Sequence, residues 1–186
     1  MKTVRLWAWL LALCGCAPRF VDTTVNGVPN LVQIAPRLYR MGQPENPAAW
    51  GWVDDTVIGV GGLHPGQSVT VVKLNDDAEG IDTPPDGWVL LKRPIPPEDD
   101  KPWTVVEMPD PKVVWGIVDE IVAAYMRGGI VIIHCTAGRD RTSLVSALAG
   151  MRLLGWSKTA AWQDMLRHGF RWELPDLDAF WLKDVR

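Results

Sequence analysis

The chain of 186 residues has few cysteines, three in all, and no internal repeat. Cys14 and Cys16 lie near the N-terminus, and Cys135 stands alone in the second half. So few cysteines exclude a fold held together by a disulfide framework, even in a compartment that permits disulfides. The cysteines and the three histidines also lack CxxC and HxxxH spacings, which argues against a zinc site. Neither a metal nor another cofactor is therefore expected.

The chain also lacks an excess of positive charge. It has 19 Lys and Arg against 22 Asp and Glu, which gives a formal net charge of −3. An acidic chain does not provide the basic surface on which nucleic acid binding depends. Any site for an anion must therefore be a local cluster of basic groups. The length is that of one domain with a sizeable hydrophobic core.

The N-terminal segment has no apolar run long enough to span a bilayer. Lys2 and Arg5 precede eight apolar residues, 6–13, which is the pattern of a signal peptide. The sequence Leu-Cys-Gly-Cys that ends at Cys16 resembles a bacterial lipoprotein processing box, with Cys16 as the lipidated residue. An ordinary signal cleaved near Cys16 and an uncleaved membrane tail are the alternatives. We expect an exported protein of the cell envelope that is anchored to the membrane by a lipid on Cys16.

Hydrophobic periodicity predicts strands that alternate with helices along the rest of the chain. Strands are predicted at residues 32–35, 38–40, 69–74, 88–91 and 130–133. Helices are predicted at 47–57 and 111–127, from 143 onward, after a Ser157 cap through 167, and from 175. This order indicates an α/β fold with a mainly parallel central sheet flanked by helices, and a ligand site where the strands end. The predicted organisation is a signal peptide (1–16), a tether or first edge strand (17–30) and one domain (31–186).

The most informative feature is the segment from His134 to Thr142, HCTAGRDRT, which we call the signature loop. It lies between the predicted strand at 130–133 and the helix that follows. Five residues separate Cys135 from Arg141, enough to wrap one turn around a tetrahedral anion with successive N–H groups pointing inward. The start of the helix adds further N–H donors, and Arg141 offers a planar fork for two phosphate oxygens. The predicted substrate-binding residues are Thr136, Ala137, Gly138, Arg139, Asp140 and Arg141.

The same loop places a nucleophile against the anion. The helix terminus and Arg141 favour the thiolate form of Cys135, and a thiolate that faces a bound phosphorus is placed for attack. Gly138 tolerates positive φ and close approach of a ligand. We expect His134 to orient the loop by side-chain hydrogen bonds, and Thr142 to donate a hydrogen bond to the sulfur of Cys135. The alternative is a structural cysteine in the core, which the spacing of the other loop residues disfavours.

The signature loop resembles that of the cysteine-dependent protein tyrosine and dual-specificity phosphatases. Its form is similar to a bacterial subgroup with the pattern HCxAG[RK]DRT and with phosphotyrosine and phosphoinositide activity. The resemblance covers residues 38–170 and includes the segment LYRMGQP at 38–44, which is similar to the first strand region of that subgroup. It implies a dual-specificity-phosphatase-like fold and metal-free hydrolysis of a phosphoric monoester through a phosphocysteine intermediate. The implied substrate is a phosphorylated protein or an inositol phosphate.

Within this resemblance, Cys135 is the nucleophile, Arg141 binds the transition state, and an acid must protonate the leaving oxygen. Asp99 and Asp100 precede Cys135 by 36 and 35 positions in a proline-rich stretch, which is the place of the family's acid loop. Asp140, within the signature loop, is the competing candidate. The first two are otherwise residues of a solvated loop, and Asp140 is otherwise a first-turn residue favoured by the helix dipole. The position favours Asp99 or Asp100.

Other functions remain open at this point. Arg139 is a second basic residue of the signature loop, suited to multiply phosphorylated substrates such as inositol phosphates or phosphoinositides, and is otherwise a surface cation. A non-catalytic phosphate-binding module of the envelope would use the same loop as a receptor, but binding alone does not require Cys135. A sulfurtransferase also uses a cysteine at the end of a strand, and the pair Arg141-Thr142 fits that chemistry less well.

Overall fold

The computed structural model describes residues 22–59, 63–76, 83–95, 109–171 and 175–185. The predicted signal peptide with Cys16 lies outside these residues, and so do Asp99 and Asp100. Within the described ranges, no helix has both the length and the apolar character needed to cross a membrane.

A five-stranded sheet forms the centre of the molecule. The strands in chain order are β1 (Thr24–Val25), β2 (Val28–Pro29), β3 (Val32–Ala35), β4 (Leu38–Gly42), β5 (Val69–Lys73), β6 (Val89–Lys92) and β7 (Ile130–Cys135). β1 and β2 form a separate hairpin, and the sheet has the order β3-β4-β7-β5-β6. Only β3 and β4 pair antiparallel in this sheet. All six residues of β7 are buried, as expected of a parallel strand covered on both faces. The predicted α/β fold with a mainly parallel sheet is confirmed.

The described ranges contain five helices, and local sequence signals explain where three of them begin. The helices are α1 (Pro47–Ile58), α2 (Pro111–Met126), α3 (Asp140–Leu154), α4 (Lys158–Arg167) and α5 (Pro175–Asp184). The side chains of Asn46, Asp110 and Ser157 cap α1, α2 and α4 by accepting hydrogen bonds from N–H groups of the first turn. In α1 and α2 the first helical residue is proline, which needs no hydrogen-bond partner for its nitrogen.

The two faces of the sheet bury separate hydrophobic clusters. Helices α2 and α3 cover one face, α4 and α5 pack against α3 on that side, and α1 covers the other face. Alternate residues of β7 point to opposite faces, so Val131, Ile133 and Cys135 belong to the first cluster and Ile130 and Ile132 to the second. This alternation places Cys135 on the face where α3 begins.

The N-terminal boundary differs from the predicted one. Residues 17–30 were predicted as a tether or a first edge strand, and the described part of them, 22–30, folds onto the domain with the β1–β2 hairpin. Val28 and Asn30 are buried. Asn30 Oδ1 accepts a hydrogen bond from the Thr23 N–H, and Asn30 Nδ2 donates one to Ala137 O. A buried asparagine must find hydrogen-bond partners, and its partners here belong to the hairpin and to the signature loop. The domain therefore begins before residue 31.

Candidate active site

The signature loop lies at the carboxyl end of the parallel strands. Cys135 is the last residue of β7 and is paired in register with Gly42, the last residue of β4. The loop then turns directly into α3 at Asp140. Cys135 and Arg141 are 5% and 9% exposed, so the predicted nucleophile and the predicted anion-binding group are both buried where the loop meets the helix. Parallel α/β folds bind ligands at this edge of the sheet.

Three consecutive carbonyl groups of the loop are held by donors outside it. The Gln43 N–H donates to Thr136 O at 2.9 Å, and Asn30 Nδ2 donates to Ala137 O at 2.9 Å. Arg40 Nη2 donates to Gly138 O at 2.7 Å. In a planar trans peptide the C=O and the following N–H point in opposite directions. The three N–H groups that follow these carbonyls therefore point away from the donors, toward the interior of the loop. Successive inward N–H groups form a nest for an anion. We call Asn30, Arg40 and Gln43 the loop clamp.

The loop rests directly on the backbone of β4. Gly138 has φ +70°, as the sequence predicted, and a Cβ atom there would lie 2.4 Å from the Gly42 nitrogen and from the Met41 carbonyl carbon. These are main-chain atoms of a strand within the sheet, so they cannot move aside cheaply. A Cβ on Gly42 would in turn lie 2.7 Å from Cβ of Pro29. Two glycines thus allow the loop, β4 and the N-terminal hairpin to meet.

Asp140, one of the predicted acids, is bound to Arg171. Its Oδ1 accepts a hydrogen bond from the Arg171 main-chain N–H at 3.0 Å, and its Oδ2 accepts from Nε and Nη2 at 3.0 and 2.7 Å. Both carboxylate oxygens therefore already accept hydrogen bonds. The position in the first turn of α3 also suits a negative charge. The structure thus uses Asp140 to tie the start of α3 to the segment that follows α4.

Arg139, the second basic residue of the loop, forms an ion pair with Asp22 across 2.8 Å. The other carboxylate oxygen of Asp22 accepts a hydrogen bond from Asn30 Nδ2 at 3.0 Å. Asp22 therefore joins the hairpin to the loop at two points. The pair is partly exposed, with a quarter of the Arg139 side chain accessible.

His134 and Thr142, which flank the predicted anion site, are both fully buried. The ring of His134 lies edge-on to Trp50 of α1, with centroids 6.1 Å apart, and its carbonyl accepts a hydrogen bond from the Leu74 N–H at 2.8 Å. Thr142 Oγ1 has no hydrogen-bond partner among the described residues. The predicted hydrogen bond from Thr142 to the sulfur of Cys135 is therefore not formed in this structure.

Sequence reasoning missed several residues of the site. Asn30, Asp22 and Arg171 were not singled out, and Arg40 and Gln43 entered only through a resemblance. Asn30 and Arg40 contact the loop across 107 and 98 positions of the chain. No local pattern reports a contact of that separation. Across the described ranges, no three His, Cys, Asp or Glu side chains come together as a group able to hold a metal ion.

Comparison with known proteins places these features in context. Residues 110–170, which contain α2, β7 and the signature loop, match the model of the tyrosine phosphatase family. The dual specificity protein phosphatase TpbA of Pseudomonas aeruginosa (strain UCBPP-PA14) is 34% identical over 85 residues. That match covers 39% of this chain and 38% of TpbA, so it spans well under half of either protein.

Solved structures extend the likeness to most of the chain. The crystal structure of P. aeruginosa TpbA has a TM-score of 0.58 at 22% identity and covers 89% of this chain and 91% of its own. A variant of TpbA in complex with phosphotyrosine has the same TM-score. Human DUSP28 has a TM-score of 0.57 at 19% identity and covers 83% of this chain and 92% of its own. These likenesses show the fold, and with the family match they confirm the predicted resemblance to tyrosine and dual-specificity phosphatases.

We expect Gly138→Ala to destabilise the protein far more than Gly66→Ala. Both glycines have positive φ, +70° and +81°, so each substitution costs about 1–2 kcal/mol in backbone strain. Gly66 has open space around it, whereas a Cβ on Gly138 meets main-chain atoms, which adds about 1–3 kcal/mol of overpacking. Urea unfolding of the two variants measures the difference. Equal losses of stability would contradict the close approach of the loop to β4.

We expect Asn30→Ala to weaken binding of a tetrahedral oxyanion about tenfold, the effect of losing one orienting hydrogen bond. Asn26→Ala is the matched control, because Asn26 also has positive φ, 51° against 52°, but lies exposed in the β1–β2 turn. Titration with tungstate, followed by calorimetry, gives both affinities. If Asn26→Ala bound tungstate as weakly as Asn30→Ala, the loss of affinity would come from the hairpin backbone and not from the hydrogen bond to Ala137.

Proposed function

We propose that this protein hydrolyses phosphoric monoesters through a phosphocysteine intermediate, as a protein tyrosine or dual-specificity phosphatase. The observation that carries the proposal is the loop clamp, which turns three successive N–H groups inward between Cys135 and Arg141. An anion receptor needs those donors, but only a nucleophilic mechanism needs a thiol at the end of β7. The match of residues 110–170 to the tyrosine phosphatase family supports the same function.

In the proposed reaction, the Cys135 thiolate attacks the phosphorus held in the signature loop. The S–P bond forms as the bond to the ester oxygen breaks, and an acid protonates that oxygen. The loop N–H groups and Arg141 stabilise the charge on the equatorial oxygens in the transition state. Water then attacks the phosphocysteine, the S–P bond breaks, and inorganic phosphate leaves while the thiolate is restored.

For the acid we propose Asp100 or Asp99. The geometry of Asp140 supports this choice, because both of its carboxylate oxygens already accept hydrogen bonds from Arg171. A general acid must carry a proton on the oxygen that faces the leaving group. Asp140 is better suited to hold α3 in place.

The substrate we propose is a phosphotyrosine protein or a related protein phosphomonoester. TpbA, a relative by both sequence and structure, binds phosphotyrosine in one of its crystal structures. The ion pair of Arg139 with Asp22 supports a substrate with one phosphate, because the second cation of the loop already has a carboxylate partner. An inositol phosphate would have to compete with Asp22 for Arg139.

For the cellular location we propose the cell envelope, with a lipid on Cys16. The support is the signal-like segment and the cysteine that follows it. Asp22, the first described residue, follows Cys16 by six positions, and six extended residues reach about 20 Å at most. A lipid on Cys16 would therefore hold the hairpin and the signature loop close to the membrane surface.

We expect Asp140→Asn to keep most of kcat, whereas Asn at the true acid lowers kcat about 10²-fold, the scale of acid catalysis. Asp99→Asn and Asp100→Asn are measured beside it with an aryl phosphate and an alkyl phosphate. The alkyl ester is affected more, because its leaving group needs the proton more. If all three variants kept their activity, none of these aspartates would be the general acid.

We expect phosphate release by the full-length protein with EDTA present, and its complete loss in Cys135→Ser. The substrates are a phosphotyrosine peptide, a phosphoserine peptide, inositol hexakisphosphate and phosphoinositide vesicles, with the phosphotyrosine peptide the most active. Tungstate binding by Cys135→Ser shows that the loop is intact. A folded wild-type protein with a reduced thiol that binds tungstate but turns over no substrate would instead be a phosphate-binding module.

We expect Cys16→Ser to abolish incorporation of radiolabelled palmitate in a bacterial host, with Cys14→Ser as the matched control that retains it. The two cysteines lie two positions apart in the same segment, so a general defect in export would affect both variants. Labelling that survives in Cys16→Ser would rule out the proposed anchor.

A further inference from the structure

We propose that Arg40 is a positioning residue of the active site with two separable roles: its fork fixes the signature loop, and its charge stabilises the thiolate of Cys135. The proposal rests on the proposed phosphatase function. It goes beyond that function because Arg40 lies behind the loop and does not touch the substrate.

The placement of Arg40 follows from the register of the sheet. Arg40 pairs with Ile133 on β7, two residues before the pair of Gly42 with Cys135. Residues two apart on a strand point to the same face, so the side chain of Arg40 lies on the face that carries Cys135. There it is covered completely, with 1% of its surface exposed.

The guanidinium joins the loop to the helix that follows. A single nitrogen, Nη2, donates to Gly138 O and to Ser143 Oγ, each at 2.7 Å. Gly138 O is the last of the three carbonyls held by the loop clamp, and Ser143 lies in the first turn of α3. Arg40 thus fixes where the loop ends relative to the helix that carries Arg141.

The charge of Arg40 is not needed for these two hydrogen bonds. Asn30 holds the neighbouring carbonyl, Ala137 O, with a neutral amide. A buried cation costs far more desolvation than a buried amide. Two of the guanidinium nitrogens of Arg40, Nε and Nη1, have no hydrogen-bond partner among the described residues. A charge kept in that position therefore has an electrostatic role.

The anions around Arg40 identify that role. Burial lowers the pKa of Arg40 to about 10, and the charges of Asp164, Cys135 and Asp140 oppose this shift. Arg40 is therefore protonated at neutral pH. Asp140 has its own cation in Arg171.

Asp164, the other carboxylate near Arg40, contributes most to keeping Arg40 charged. It lies 3.3 Å from His168 Nδ1 and 3.9 Å from Arg167. Cys135 follows Asp164 among these anions, and the register places it on the neighbouring strand and on the same face of the sheet as Arg40. Since electrostatic coupling is mutual, a thiolate that favours the charged form of Arg40 is itself favoured by Arg40. Arg141 is then available to the phosphate.

The charge is tested with Arg40→Met in the full-length protein. Alkylation of Cys135 by iodoacetamide is followed by mass spectrometry of the peptide that contains it, so Cys14 and Cys16 do not interfere. We expect the pH of half-maximal alkylation rate to rise by about one unit, the lower end of the effect of a nearby opposite charge. Arg93→Met is the control, because it removes an equal charge from a half-exposed ion pair with Glu120 and leaves the profile unchanged.

The fork is tested with Arg40→Lys, which retains the charge but not the planar geometry. We expect its alkylation profile to match that of the wild type and its kcat to fall about tenfold with KM within twofold, because the loop donors act mainly in the transition state. A folded Arg40→Met with an unchanged profile would overturn the electrostatic role. If Arg40→Met does not fold, Arg40→Lys decides: a full kcat overturns the positioning role. Alkylation needs no turnover, so a wild type without phosphatase activity would contradict the proposed function and leave the alkylation result standing.

Discussion

The active site depends on hydrogen bonds made behind it. A loop of four residues between a strand and a helix has no regular hydrogen-bonding pattern of its own, and its carbonyls would otherwise point in any direction. The loop clamp holds three of them from outside, so the opposite N–H groups face inward. The three donors differ in kind: a main-chain N–H, a neutral amide and a cation. All of them come from one stretch of chain, residues 30–43, and none belongs to the loop itself.

The remaining architecture allows the clamp to reach the loop. β4 lies beside β7, and the antiparallel β3–β4 pair closes that edge of an otherwise parallel sheet. Gly138 and Gly42 remove the Cβ atoms that would keep the loop and β4 apart. Residues 140–150 of α3 are all buried, so the helix that ends the loop is itself held from every side. Packing and hydrogen bonding therefore restrict the loop together.

The sequence predicts the strand, loop and helix that form the site better than it predicts the distant residues that hold the loop in place. The run of apolar residues in β7, the fixed spacing from Cys135 to Arg141 and the periodic face of α2 each leave a local signal, and the structure has those elements where they were expected. Asn30 and Arg171 leave none, because their roles exist only after distant segments meet. The ion pair of Asp140 with Arg171 supports our proposal that Asp99 or Asp100 is the acid, and spacing alone could not supply that support. The sequence left residues 17–30 open between a tether and an edge strand, because the contacts of the buried Asn30 side chain exist only in the folded protein.

The separation of the clamp from the loop has a consequence for how the protein acquires its site during synthesis. Residues 30–43 leave the ribosome roughly a hundred positions before the loop that they hold, a separation seen in the Asn30 and Arg40 contacts. Contacts of such long range close late and raise the contact order, which slows folding. Until residues 138–143 have been synthesised, the guanidinium of Arg40 has neither Gly138 O nor Ser143 Oγ as a hydrogen-bond acceptor. The loop clamp can therefore hold the loop only after β4 and β7 have met, and a chain in which they have not met carries the cysteine without a fixed loop around it.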